Sequence, residues 1–303
     1  MKGLRAGLGA AAVALTVIGA DYGAWRTAEG DRLRRRSRIV HTARGDVEVV
    51  DEGTGRPVLM LHGSPGGYDA GPLFASMLGL GGWRIISPSR PGYLRTPSSS
   101  GRAPQEQADL MIALLDALQV EDASVVGISG GGPCALALAD KHSERCTRLV
   151  MIEALSDSYS EHSMYAALPP VARLGKWTST ALMKSNAPAY LARWAGRFEE
   201  SGMVTELAHG FARYDLRRQG YELDMSQFEA LGPMPVDRVT MPTLIAHGDE
   251  DTDVPVAQAR ELAARIPQSR LVIAQGCNHM SLWSSPRLGA EVRDFLTAGD
   301  DED

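Results

Sequence analysis

The sequence predicts an α/β fold, in which helices cover both faces of a mostly parallel sheet and a helical segment is inserted between two strands. Three observations support this prediction. Short apolar runs, typical of buried strands, recur from residue 57 onwards. Segments with helical spacing separate these runs, and this alternation is typical of a parallel sheet. Between residues 155 and 236 the strand patterns stop and only helical spacing remains.

The elements can be predicted in order along the chain. Residues 38–55 alternate apolar and polar side chains on both sides of Arg44-Gly45-Asp46, which predicts a β-hairpin. A helix is expected from Pro104 to Gln119, because four leucines fall on one stripe, and another should begin in the glycine-rich stretch near residue 130. Six further strands are expected at RPVLMLHG, WRIISP, DASVVGI, TRLVMIEA, MPTLIAHG and SRLVIAQG.

These patterns predict how the chain is organised. With 303 residues the chain can bury a large core, so one sizeable domain with an insertion is expected. Residues 1–37 would form an N-terminal hydrophobic segment and a basic linker. The α/β core would comprise residues 38–154 and 237–298, the helical insertion residues 155–236, and an acidic tail residues 299–303.

Charge and cysteine content exclude several classes of function. The net charge of −6 provides no basic surface for nucleic acid. The three cysteines lack the spacing of a disulfide framework or a zinc site. The acidic run at residues 249–253 begins like a calcium loop, but Val254 stands where the loop needs glycine and Arg260 where it needs glutamate. No metal site is therefore expected.

The N-terminal segment leaves three interpretations open. An apolar run of 14 residues, Gly7–Ala20, is shorter than a standard membrane span of about 20 residues. The strongly basic RLRRRSR that follows favours membrane association through residues 4–20, as a short anchor or an interfacial helix. A cleaved signal peptide, with secretion, is the second interpretation, and a helix packed on the domain is the third.

The glycine-rich stretch around Ser129 predicts a sharp turn between a strand and a helix. The strand DASVVGI ends just before Ser129, and Pro133 fits an early position of the next helix, so the chain must reverse within a few residues. Ser129 is then forced toward a strained backbone, while Gly127 and Gly131 leave room for the strand and helix to approach. Gly127 to Gly131 match the G-x-S-x-G pattern of a nucleophile turn.

The helix that follows gives this turn a chemical use. The N–H group of Gly130, at the positive end of that helix, would face an oxyanion formed on a carbonyl that Ser129 attacks. A plain glycine turn and a phosphate-binding loop are the alternatives. The chain lacks the G-x-x-x-x-G-K-[ST] pattern of phosphate loops here, which weakens the second alternative.

A serine nucleophile needs a base and an acid, and both are expected at the ends of later strands. His279 follows the last strand pattern, and Asp251 lies in the acidic run after the preceding one. The chain order Ser129, Asp251, His279 is the order found in folds of this type.

A second oxyanion donor is expected in the loop LMLHGSPGG, which follows an earlier strand. Gly63 allows the tight turn, and the backbone N–H of Ser64 is the candidate donor. His62 is interpreted as a residue that hydrogen-bonds this loop, with a role as the base as the alternative.

With these residues the chain resembles the α/β-hydrolase superfamily, in its cap-bearing serine hydrolase branch of esterases and proline-iminopeptidase-like enzymes. The resemblance rests on residues 62–65, residues 127–131, Asp251 and His279, and it extends from about residue 38 to residue 297. It implies a catalytic triad of Ser129, Asp251 and His279, no cofactor, and a helical cap formed by the insertion.

One loop departs from the family pattern, and the identity of the acid has alternatives. In the loop SRPGYLRTP, Ser89 replaces an acid and Leu94 a glycine, which leaves catalysis unaffected because this loop is structural. The acid has alternatives: Asp249 and Asp253 lie next to Asp251, and Glu153 ends an earlier strand where some relatives carry the acid.

The expected function is hydrolysis of a carboxylic ester or related acyl compound, a small and mostly apolar substrate. Aromatic residues of the insertion are candidates for the substrate pocket: Trp177, Trp194, Phe198 and Phe211. A proline-iminopeptidase-like aminopeptidase and a carbon–carbon bond hydrolase would use the same triad and remain alternatives, as does a non-catalytic ligand-binding member of the family. The oligomeric state stays open.

Overall fold

The computed structural model describes residues 2–194, 210 and 212–298. Eight strands form one sheet: β1 Arg38–Thr42, β2 Gly45–Glu52, β3 Pro57–Leu61, β4 Arg84–Pro88, β5 Ala123–Ile128, β6 Cys146–Ile152, β7 Thr243–Gly248 and β8 Ser269–Ala274. The helices are α1 Lys2–Arg36, α2 Ala70–Leu78, α3 Pro104–Ala117, α4 Gly132–Lys141, α5 Glu161–Ala167, α6 Pro170–Met183, α7 Ala187–Trp194, α8 Tyr214–Ala230, α9 Val256–Arg265 and α10 Pro286–Thr297.

The sheet has the order β1-β2-β4-β3-β5-β6-β7-β8. The β1–β2 and β2–β4 pairs are antiparallel, and the others are parallel. The hairpin expected around residues 44–46 is present, with Thr42 opposite Gly45. The predicted fold class is thus confirmed, because parallel strands alternate with helices along the chain.

Two hydrophobic clusters cover the two faces of the sheet. Side chains of a strand alternate between faces, so Val125 packs with helices α3, α4 and α9, while its neighbour Val126 packs with α2 and α10. Helices α5 to α8 lie between β6 and β7 in the chain, where only helical spacing is found in the sequence. Because β5 to β8 are parallel and adjacent, the loops after them meet at one edge of the sheet.

The N-terminal segment differs from the expected linker. Residues 2–36 form one continuous helix, so the basic stretch before residue 37 is its last turns. The second half of α1 packs on the domain, because Leu33 is buried and its carbonyl accepts a hydrogen bond of 2.6 Å from the Tyr68 hydroxyl. Trp25 packs against Tyr190 of α7, with ring centroids 5.5 Å apart. Among the helices described, none combines the length and the apolar character needed to cross a bilayer.

Replacing Leu33 by alanine tests whether α1 is part of the folded domain. Leu33 is 3% exposed, so truncation removes buried methyl groups and leaves a cavity. We expect the free energy of unfolding, measured by chemical denaturation, to fall by about 2–5 kcal/mol. Val17 lies on the same helix and is 61% exposed, so Val17→Ala should change it by less than about 0.5 kcal/mol. Equal stability of the two variants would show that α1 does not contribute to the fold.

Candidate active site

Ser129 lies at the turn from β5 into α4. Its φ of 48° is in the left-handed region, which residues with a side chain seldom adopt. The backbone turns sharply here because a short 3-10 turn, Ser129–Gly131, connects the strand directly to the helix. This geometry presents the Ser129 hydroxyl at the carboxyl edge of the sheet.

The glycines around Ser129 are required by close packing. A Cβ atom on Gly127 would come within 2.7 Å of the Ala135 side chain of α4, and one on Gly131 within 2.2 Å of a β3 carbonyl. Gly132, to which the sequence pattern assigns no role, would place a Cβ 2.1 Å from the carbonyl oxygen of Leu155. Three of the glycines therefore allow strand, helix and the start of the insertion to meet at this turn.

The structure brings together the three residues proposed as nucleophile, base and acid. His279 lies in the loop after β8, and its Nε2 is 3.1 Å from Ser129 Oγ. Its Nδ1 is 2.7 Å from Oδ2 of Asp251, which follows β7. The three side chains thus form a continuous hydrogen-bonded chain.

Asp251 is held by its own loop and by a second histidine that the sequence analysis overlooked. The Oδ1 atom accepts hydrogen bonds from the backbone N–H groups of Asp253 (2.7 Å) and Val254 (2.9 Å). His247, fully buried at the end of β7, places Nε2 3.2 Å from Asp251 Oδ2 and 2.9 Å from the Val254 carbonyl. His247 Nδ1 has no hydrogen-bond partner among the described residues, so Nε2 is the ring nitrogen that contacts the acid loop.

These contacts determine the charges in the site. Burial disfavours ionisation of Asp251, but hydrogen bonds from His247 and His279 outweigh it and lower the pKa of the carboxyl. Burial alone would lower the pKa of His279, yet the hydrogen bond and charge of Asp251 raise it above its ordinary value. His279 is therefore a stronger base than a free imidazole.

Glu153, the alternative acid, lies beside this chain. It follows β6 with a φ of 47°, and Oε2 is 3.8 Å from His279 Nδ1, too long for a hydrogen bond. Neither carboxyl oxygen has a hydrogen-bond partner in the described part of the chain. Burial, with the charge of Asp251 adding to it, raises the pKa of Glu153 to about 8. A carboxyl with this pKa is mostly protonated at pH 7, whereas the lowered pKa of Asp251 leaves that residue with the negative charge.

Ligand atoms of Glu153, Asp251 and His279 lie within 4.8 Å of one another, a spacing that also suits a metal ion. However, both nitrogens of His279 and both oxygens of Asp251 already take part in hydrogen bonds. The arrangement therefore fits proton transfer better than metal coordination.

The loop after β3 packs directly against the turn at Ser129. A Cβ on Gly63 would lie 3.0 Å from Ser129 Cβ, and one on Gly130 would lie 2.3 Å from Ser64 Oγ. His62 is buried, with Nδ1 2.7 Å from the Gly63 carbonyl and Nε2 2.9 Å from the backbone nitrogen of Arg90. Burial and the Arg90 charge lower the pKa of His62 well below its usual range, so the ring is neutral and serves the loop.

A buried polar network fixes this loop to the insertion, and the sequence analysis missed it. Arg90 forms an ion pair of 2.5 Å with Asp224 of α8, and both side chains are buried. The Tyr93 hydroxyl donates to the same carboxylate at 2.6 Å. The Ser64 hydroxyl also donates to Asp224 and accepts a hydrogen bond of 3.1 Å from Arg90. These bonds hold the Ser64 side chain in place. They do not involve the backbone N–H group of Ser64.

Comparison with known proteins identifies the family. The family model of the alpha/beta hydrolase fold matches residues 56–286. This chain belongs to that family. A solved α/β-hydrolase fold protein from Nakamurella multipartita is 33% identical, with 87% of this chain and 99% of that one covered and a TM-score of 0.70. A 2-hydroxymuconate semialdehyde hydrolase from Pseudomonas putida is 29% identical, with 82% of this chain and 90% of the relative covered. An esterase from Thermogutta terrifontis, 21% identical with 86% and 97% covered and a TM-score of 0.61, shares the fold.

In this α/β-hydrolase, Ser129 and His279 line a cavity of about 290 Å³. Core and insertion both contribute to its walls. Most of the lining side chains are apolar, among them Phe74, Leu155, Met164, Met225, Phe228 and Trp283. The cavity can therefore accommodate an apolar part of a small molecule next to the Ser129 hydroxyl.

Of the aromatic residues proposed for the pocket, Trp177 needs correction. Trp177 is 60% exposed and does not line the cavity. On α6 the cavity is lined by Lys176, Ser179, Thr180 and Met183, which share one face of the helix, and Trp177 belongs to the next face. The Trp194 side chain, Phe198 and Phe211 lie outside the part of the chain that is described.

The charge state of Glu153 can be tested through stability. The pKa of Glu153 is about 8 in the folded protein and near 4.5 in its ordinary state. Such a carboxyl stabilises the fold fully below about pH 4.5, and this stabilisation is lost as the pH rises through about 8. Glutamine does not titrate. The difference in unfolding free energy, Glu153→Gln minus the original chain, should therefore increase between about pH 5 and pH 8, by up to about 1.4 kcal/mol per pH unit. Denaturant titrations across this range measure it. A difference that stays constant with pH would mean that Glu153 is ionised throughout.

Proposed function

We propose that this α/β-hydrolase cleaves a carboxylic ester or related acyl compound through an acyl-enzyme on Ser129. The observation that carries the proposal is the chain of hydrogen bonds from Asp251 through His279 to Ser129 Oγ, which ends in a largely apolar cavity. A serine hydroxyl is a weak nucleophile, and a hydrogen-bonded base of this kind is what activates it.

The proposed reaction has two steps. The Ser129 hydroxyl gives its proton to His279 Nε2 as Oγ bonds to the carbonyl carbon, and the carbonyl electron pair moves to oxygen. The backbone N–H groups of Ser64 and Gly130 are the donors proposed for this oxyanion. When the carbonyl re-forms, the alcohol leaves with the proton from His279. Water then attacks the acyl group by the same route and releases the acid and Ser129.

The remaining residues have supporting roles in this proposal. Asp251 keeps the proton on His279 Nδ1, so that Nε2 is free to act as base, and it stabilises the imidazolium that forms. His247 and the backbone of residues 253–254 hold Asp251 in turn. His247 is buried beside Asp251, so a substitution of His247 would affect the reaction by disturbing the position of Asp251.

We also propose that residues 155–236 act as a cap on a core of residues 38–154 and 237–298. Met164 on α5, Lys176 and Met183 on α6, and Met225 and Phe228 on α8 all line the cavity that contains Ser129. A cap of this composition would exclude water from the reacting groups and select for an apolar substrate part.

Carbon–carbon bond hydrolysis is a second candidate, favoured by the relatives. The Pseudomonas putida relative is named a 2-hydroxymuconate semialdehyde hydrolase. A Dechloromonas aromatica relative at 26% identity is named a 2-hydroxy-6-oxononadienedioate/2-hydroxy-6-oxononatrienedioate hydrolase. Such a reaction could use the same Ser129, His279 and Asp251. An aminopeptidase would need acidic side chains to hold the substrate ammonium, and the insertion offers Glu199, Glu200 and Glu206, which lie outside the described residues.

The proposal is tested by labelling and by a substrate panel. We expect a fluorophosphonate to label the protein at Ser129 and Ser129→Ala to abolish labelling, because the Ser129 hydroxyl is hydrogen-bonded to His279, whereas the Ser64 hydroxyl in the same cavity donates to Asp224. Turnover of aryl esters should fall by at least about 1,000-fold in the same variant.

The panel also contains vinylogous diketones, as carbon–carbon substrates, and proline amides. Turnover of diketones but not of esters would select the second candidate function. Labelling that survives Ser129→Ala, or no Ser129-dependent turnover of any member, would refute the serine hydrolase proposal. Ser179→Ala is the matched control for loss of a cavity serine, because Ser179 is exposed and its hydroxyl donates to the Lys176 carbonyl of its own helix, and it should retain labelling at Ser129.

A further inference from the structure

Lys176 is a cationic side chain in the wall of an otherwise mostly apolar cavity. It extends from α6 of the insertion to the acid loop of the core, where its Nζ is hydrogen-bonded to Asp253 Oδ1. The side chain is only 16% exposed. Asp251 precedes Asp253 by two residues, so Lys176 lies beside the loop that carries Asp251.

The Lys176 ammonium has more donors than protein acceptors. An ammonium group has three N–H bonds, and Asp253 is the hydrogen-bond acceptor found for Lys176 within the described residues. Burial lowers the pKa of Lys176, while the charges of Asp251 and Glu161 oppose this effect. The cavity thus offers N–H donors that a ligand acceptor would satisfy.

The acidic side chains of the cavity wall do not require a cationic ligand. Glu161 accepts hydrogen bonds from Lys184 Nζ (2.9 Å to Oε2) and from the Tyr221 hydroxyl, so its charge is already compensated. The Asp253 side chain is 31% exposed, so water can solvate its carboxylate when Lys176 turns to a ligand. An anion is therefore a better match to this wall than a cation.

We propose that Lys176 binds a carboxylate group carried by the substrate. The inference rests on the proposed function and narrows it: the substrate is an acyl compound with a carboxylate at some distance from the scissile carbonyl. The ammonium donates to that carboxylate, while the carbonyl carbon lies at Ser129 Oγ and the apolar wall contacts the carbon chain between them.

The experiment compares anionic and neutral substrates of similar shape. One pair places the carboxylate on the acyl side, as para-nitrophenyl hydrogen glutarate against para-nitrophenyl valerate. The other pair places it on the leaving group, as para-acetoxybenzoate against para-acetoxybenzamide. The readout is the ratio of kcat/KM for the anionic substrate to that for the neutral one.

We expect one pair to show a preference for the anion, and Lys176→Met to lower that ratio by about 10- to 100-fold, mainly through KM. Lys176→Gln is a second neutral variant, in case methionine perturbs α6. Arg173→Met is the matched control, because Arg173 is an exposed cation on the same helix whose guanidinium bonds the Ala166 and Leu168 carbonyls, and it should keep the ratio. Ratios that are the same in the Lys176 variants and the original chain for both pairs would overturn the proposal.

Binding without turnover separates this inference from the proposed function. Calorimetry uses amide analogues of both pairs, N-phenylsuccinamate against N-phenylbutanamide and para-acetamidobenzoate against para-acetamidobenzamide. In one pair the anion should bind more tightly, and Lys176→Met should remove the difference. If ester turnover does not depend on Ser129, the proposed function fails, and calorimetry still decides the carboxylate site. Equal affinity within both amide pairs would refute the site even if the esters are hydrolysed.

Discussion

The hydrogen bond between Asp251 and His279 is the interaction on which the rest of the active site depends. A buried carboxylate is stable only when hydrogen bonds replace its lost hydration. Asp251 receives them from two backbone N–H groups of its own loop, from His247 and from His279. The same bond directs His279 Nε2 toward Ser129. Because the acid loop and the histidine loop follow adjacent parallel strands, β7 and β8, the sheet itself sets the distance between them.

A second buried interaction couples the site to the insertion. The ion pair between Arg90 and Asp224 joins the core to α8, and the Ser64 hydroxyl belongs to the same network. Removing one member of a buried ion pair leaves an uncompensated charge, so the loop beside Ser129 and the insertion should lose their order together. Lys176 and Asp253 connect α6 to the acid loop in the same way. The helices above the cavity are thus attached to the core by charged groups beside the reacting atoms.

Local patterns predicted much of the fold and the candidate site. The eight strands, the hairpin and the turn at Ser129 each depend on neighbouring residues, so their signals are continuous in the sequence. Asp224 and Arg90 are 134 residues apart, and no local pattern indicates that they meet. The docking of α1 depends on contacts such as Leu33 with Tyr68 that form only in the folded domain. On α6, aromatic character predicted that Trp177 would line the pocket. The positions of the residues around the helix instead place Lys176 on the cavity side and Trp177 in solvent.

The central claim is that Asp251, and not Glu153, is the acid that orients His279. The direct test is kcat for a Ser129-dependent substrate in the isosteric variants Asp251→Asn and Glu153→Gln. We expect Asp251→Asn to lower kcat by roughly 1,000- to 10,000-fold, because the amide no longer holds the proton on His279 Nδ1. Glu153→Gln should lower kcat by less than about 10-fold, since a neutral amide replaces a carboxyl that is already neutral at pH 7. Near-normal turnover in Asp251→Asn together with its loss in Glu153→Gln would contradict the account.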